Sequence, residues 1–134
     1  MDYFHLQLDE EKLRQVSTLA LAHIGDGVYE LMVRSWLVLH GKLTNKGLHQ
    51  ATVHYVSAQA QSRLVRRLPL LTEEEQAVFR RGRNSNPHTV SKAATREEYQ
   101  TATALEALFG YLYLKGQIDR LDELFEAMME TEGT

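Results

Sequence analysis

The chain has 134 residues, no cysteine and a formal net charge of −3. That length supports one domain with its own core, and without cysteine there is neither a disulfide framework nor a thiolate site. The opening "MDYFHLQLDEEK" lacks the basic start and apolar run of a secretory signal, and no stretch reaches the roughly 18 uninterrupted apolar residues of a membrane span. A cytoplasmic protein with no membrane association is therefore expected.

The apolar spacing is helical throughout. Asp9 is placed to cap a first helix, which is expected to bend near Ser17. Beyond it, Leu21, Ile24, Val28, Leu31 and Ser35 follow steps of three and four. That spacing predicts a core-facing stripe on a helix that runs through "SWLVLH" and stops at Gly41. Thr44 or Asn45 is expected to cap a second long helix ending before Pro69. In "LTEEEQAVFRRGRN", Thr72 and Glu75 have the spacing of a capping box, with acids in the first turn and arginines in the last. Residues 82–95, "GRNSNPHTVSKAAT", read as a long polar loop. Thr95 or Arg96 then opens a helix through "REEYQTATALEALFGYLYLK", stopped near Gly116, and a last amphipathic helix runs from Ile118 to about Glu130. No strand pattern, repeat or linker competes. The prediction is one all-α domain over residues 1–134, with its core at about 10–130.

Charge is unevenly distributed. Between Arg63 and Arg96 stand eight basic residues, opposed only by Glu73, Glu74 and Glu75. This excess of five positive charges leaves eight negative charges on the rest of the chain, a polarity that suits a polyanion or an ordinary solvated helix face equally well.

Two acids break the apolar pattern. Asp26 lies between Gly25 and Gly27 within "LALAHIGDGVYELMVR", where glycine costs about 1 kcal/mol relative to alanine and aspartate is also a poor helix former. Glu106 is the lone acid of "TATALEALFGYLYL", with Gly110 one turn on. Two helices that each carry one acid and a nearby glycine can cross closely and bring the carboxylates to one point. Such a pair suits a hard cation like Mg²⁺, which binds through one or two carboxylates and keeps several waters. The plainer reading is structural: Asp26 bonded to a helix terminus, Glu106 salt-bridged to an arginine. Glu30, one turn past Asp26, is a fallback ligand. His23 is a supporting or packing residue, because no second histidine stands at metal-ligand spacing beside it.

"HIGDGVYELMVR", followed about eighty residues later by "TALEALFGYLYLK", resembles the catalytic domain of ribonuclease III with its "LGDAVLE"-like and "FEALLGALYL"-like motifs. The resemblance is to the short Mini-III class, which consists of that domain alone and lacks a double-stranded-RNA-binding domain. It covers nearly the whole chain, "LTEEEQAVFRRGRN" included. It implies a helical homodimer that holds an RNA duplex in a groove and cuts both strands. It places Asp26 and Glu106 on the family's catalytic, Mg²⁺-binding acids. Full-length members carry further acids where this chain has Leu19, Ala22 and Thr103, a thinning the short class shares.

For the short class, the resemblance also implies maturation of the ends of precursor 23S ribosomal RNA. Duplex RNA is recognised mainly through phosphates and 2′-hydroxyls, so Arg81, Arg83 and Lys92 are the expected phosphate contacts, with Arg80 and Arg96 behind them. The alternative is a catalytically inactive double-stranded-RNA-binding dimer, for which the absent acids are the argument.

Overall fold

In a computed structural model that describes residues 1–85 and 94–130, the chain folds into seven α-helices and one 3₁₀ turn among those residues. Helix α1 (Glu10–Gln15) starts where the Asp9 carboxylate accepts from the Lys12 amide at 2.8 Å. The bend near Ser17 is a complete break. Ser17 turns extended and its hydroxyl accepts from the Ala20 amide, capping a new helix, α2 (Thr18–Leu39). Gly41, at φ +105°, stops α2 in the left-handed region as expected.

The predicted stripe on α2 is out of phase. Of its five residues only Leu21 is fully buried; Leu31 is 52% exposed and Ser35 is also exposed. The buried face is Leu21, Ala22, Gly25, Tyr29, Val33 and Leu37. A pattern weighted by apolar bulk passes over Ala22 and Gly25, and those small residues are what α2 turns inward.

The second long helix is three pieces: α3 (Leu48–Val56), α4 (Ala58–Leu64) and a 3₁₀ turn at Val65–Arg67. Its start is neither Thr44 nor Asn45 but Gly47, at φ +75° and with no side-chain cap. Ser57 ends α3 in an extended conformation and caps α4 through the Ala60 amide.

Helix α5 (Glu73–Asn84) carries the expected capping box. Glu75 is 3% exposed, and Arg120 reaches it with Nε and Nη2, each at 2.8 Å, while also donating to the Leu70 carbonyl. This ties α7 (Ile118–Met129) to the start of α5. Gly82, expected to open the loop, lies inside α5. It faces α6 (Arg96–Lys115) so closely that a Cβ would stand 2.7 Å from Ala104 Cα. Helix α5 therefore ends at Asn84 with Ser85 extended, and residues 86–93 of the predicted loop lie outside the described residues.

Helix α6 is the axis of the fold. It is capped by Thr95 and Glu98, stopped by Gly116 at φ +86°, and buried over most of its circumference from Thr101 to Leu114. Tyr29 locks α2 to this axis. Its ring meets Phe109 and Phe125 edge-on, and its hydroxyl donates to the Tyr55 carbonyl of α3 at 2.8 Å. No helix among the described residues is long and apolar enough to cross a membrane.

Candidate active site at the crossing of two helices

The site begins with two glycines. A Cβ on Gly25 would lie 1.6 Å from the Glu106 carbonyl oxygen, and one on Gly110 would lie 1.9 Å from the Leu21 carbonyl oxygen. Each glycine is thus seated on the other helix's backbone, and α2 and α6 touch main chain to main chain. Asp26 is the next residue after Gly25, and Glu106 is the residue on which Gly25 rests. Contact between the two acids follows from the contact between the two backbones. Gly27 has nothing within 4 Å of its Cβ position, so the expected close approach holds for Gly25 alone.

The two carboxyl groups are within hydrogen-bond reach of one another. Burial first, and the Asp26 charge second, push the Glu106 carboxyl up to about 8, against the opposing pull of a hydrogen bond from Gln61. That bond runs from Gln61 Nε2 to Glu106 Oε2 at 3.3 Å. Glu106 therefore meets an amide where the structural alternative had an arginine. Gln61 was not singled out from the sequence; the sole signal was a polar residue of "AQAQ" among small ones. It is 1% exposed and, with Thr103 and Glu106, walls a pocket of about 360 Å³ between α4 and α6.

The two supporting candidates, His23 and Glu30, flank Asp26 by one turn of α2 on either side. Glu30 is ion-paired with Arg34 at 2.6 Å, one turn along α2. His23 is exposed one turn before Asp26. No group of three or more His, Asp or Glu side chains gathers at metal-ligand geometry among the described residues. At the positions of the absent acids, Ala22 is buried, Leu19 is half exposed, and the Thr103 hydroxyl donates to the Tyr99 carbonyl at 2.9 Å.

Arg80, Arg81 and Arg83 belong to α5, and Arg96 opens α6. Arg81 is exposed beside α1 and α2, in a pocket shared with Arg14 and Glu74. Arg83 donates to Thr101 Oγ1 at 3.3 Å and stands 3.7 Å from Glu97. That exposed pair is worth at most about 1 kcal/mol, little enough for a phosphate to displace. Thr101 precedes Glu106 by five residues, about 7.5 Å along the helix axis. Lys92 lies outside the described residues.

Residues 19–117 match the Ribonuclease III domain. Mini-ribonuclease 3 of Enterococcus faecalis is 42% identical over 90% of this chain and 93% of its own length. Mini-ribonuclease 3 of Symbiobacterium thermophilum is 46% identical over 81% of this chain and 85% of its own. A crystal structure of a Fusobacterium nucleatum protein superposes with a TM-score of 0.80 at 30% identity, covering 90% of this chain and 94% of that one.

Proposed function

Because this chain belongs to the ribonuclease III family, and so is a nuclease of that type, we propose that it is a Mg²⁺-dependent endoribonuclease that cleaves double-stranded RNA. Its substrate in the cytoplasm is precursor 23S ribosomal RNA, whose 5′ and 3′ ends it matures as a homodimer. The observation that carries this reading is the pair Asp26 and Glu106, held in contact by a crossing that only Gly25 and Gly110 permit.

The donor set fits the cation. Two hard oxygen ligands of like charge, Glu106 mostly buried and Asp26 open to solvent, repel unless a cation or a proton lies between them. With two carboxylates, Mg²⁺ keeps much of its hydration shell, its usual habit. When bound, the ion supplies Lewis acidity and a water activated as nucleophile. Asp26 and Glu106 fix where that water and the scissile phosphate meet. Arg81, Arg83 and Lys92 hold the phosphates on either side. Hydrolysis breaks the bond from phosphorus to the 3′-oxygen, leaving a 5′-phosphate and a 3′-hydroxyl.

A symmetric dimer presents two such sites to the two strands of a duplex. Exposed Leu31, Val38 and Leu39 on α2 support the second copy, since they leave apolar surface open to solvent, with Leu39 lining one groove with Trp36. The apolar "LYLK" end of α6 offers less, being largely spent on the core, where Leu112 and Leu114 are buried.

The test is an end-labelled RNA duplex at low salt, beside its separated strands, with Mg²⁺ and with EDTA. Duplex cleavage to 5′-phosphate ends, absent in EDTA and on single strands, is expected. Salt-sensitive duplex binding with no cleavage in any metal would instead establish the inactive RNA-binding dimer.

A further inference from the structure

Gln61 does more in this site than two acids require. Its side chain is almost wholly buried, and after Nε2 has donated to Glu106 its carbonyl oxygen Oε1 has no hydrogen-bond partner. No other buried side-chain oxygen or nitrogen is in that position among the described residues. An unmet buried acceptor costs about 1–3 kcal/mol, whereas a methionine of similar length would fill the same space without it. The Thr103 hydroxyl on the same pocket wall is already committed to Tyr99 within α6. The pocket is roomy enough for ordered water.

We propose that Gln61 is a third member of the cation site, its Oε1 accepting a hydrogen bond from a water carried by a divalent cation on Asp26 and Glu106. This rests on the nuclease reading for the presence of the cation. A cation held by only two carboxylates keeps waters; those on the exposed Asp26 side meet solvent, while those on the Glu106 side bring hydrogens that need acceptors from the buried wall. A third carboxylate would supply the acceptor but add to the repulsion between Asp26 and Glu106. A neutral amide supplies it without charge, and its other end steadies Glu106. In this chain, with Ala22 and Thr103 contributing no carboxylate, Gln61 is what orders the cation's outer surroundings.

The experiment measures Mn²⁺ affinity by electron paramagnetic resonance of the free ion, with the metal-free melting temperature alongside. The proteins are wild type, Gln61→Met and Gln61→Glu. Gln61→Met removes both amide groups and is expected to weaken Mn²⁺ binding about 10–100-fold. Its metal-free melting temperature should be no lower than wild type, because the unmet acceptor is gone. Gln61→Glu keeps an acceptor oxygen at the same reach and is expected to bind Mn²⁺ within roughly threefold of wild type, or tighter.

Wild-type affinity in Gln61→Met overturns the proposal. So does an equal loss in both variants, which would leave Gln61 only as a donor to Glu106. Should Gln61→Met fail to fold, a tenfold loss in Gln61→Glu alone overturns it, and retained binding supports it. A wild type that binds Mn²⁺ and cuts RNA while Gln61→Met binds equally well removes only this proposal. A wild type that binds no Mn²⁺ removes the Mg²⁺-dependent reading with it.

Discussion

Gly25→Ala is expected to destabilise the chain by about 3 kcal/mol or more, while Gly27→Ala, two residues on, is expected to stabilise it by about 0.5–1 kcal/mol. The new Cβ at Gly25 would stand 1.6 Å from a backbone oxygen of α6, which is held by its own helix and cannot swing aside as a side chain would. α2 and α6 would have to separate along their whole contact, taking Tyr29 and Phe109 with them. At Gly27 the same methyl group enters open space on a helix interior, where alanine loses less conformational entropy than glycine. In thermal unfolding the first change should lower the melting temperature by roughly 10 °C or more, and the second should raise it slightly. Equal small effects from the two substitutions would mean that the helices are not seated on their glycines.

That contrast also marks how far the sequence could be read. Asp26 and Glu106 stood out because each was a lone acid among apolar residues, and glycines beside them forecast the crossing. The capping box at Thr72, a helix start at Thr95 or Arg96 and the stop at Gly116 were equally visible, since each depends on local chemistry that the side chains spell out; the second box, Thr95 with Glu98, came from the structure. The phase of α2 was not visible. Helical periodicity weighs bulk, and the side that α2 buries is defined by Ala22 and Gly25, where bulk is absent. The break at Ser57 was hidden because a single serine in "YVSAQAQ" interrupts no apolar period; only its cap on Ala60 ends one helix and starts another. Gln61 was hidden for a related reason. Its importance lies in being buried beside Glu106, and that contact spans 45 residues of sequence.

Glu106→Gln is expected to flatten the pH dependence of metal-free stability and to make the protein more stable than wild type at pH 8. In the fold the Glu106 carboxyl is pushed up to about 8, chiefly by burial and then by Asp26; its ordinary value is 4.5. Between these values the folded chain keeps a proton that the unfolded chain has released, so stability falls as pH rises. The contribution is fully present below about pH 4.5 and is lost as pH climbs through about 8. Its size is of the order of 3–5 kcal/mol, at about 1.4 kcal/mol per pH unit. Glutamine has no proton to lose and keeps a neutral group beside Asp26 at every pH. Mg²⁺ should restore the wild type at pH 8, because a ligand that binds only the folded state stabilises it, and should do much less for Glu106→Gln. Chemical denaturation at pH 5 and pH 8, with and without Mg²⁺, reads all of this. Parallel pH curves for wild type and variant would show that Glu106 is not held above its ordinary range.

The measurement that reaches the central claim most directly is single-turnover cleavage of a labelled RNA duplex in Mg²⁺ by wild type, Asp26→Asn and Glu106→Gln, with duplex binding measured on the same samples. Both variants keep size and shape at the crossing and remove one charge each. If the pair holds the cation that does the chemistry, each variant should cut at least about 1,000-fold more slowly, roughly 4 kcal/mol of lost transition-state stabilisation, while still binding the duplex. Cleavage by either variant within tenfold of wild type would place the reaction elsewhere on the molecule and leave the contact between Asp26 and Glu106 without a catalytic role.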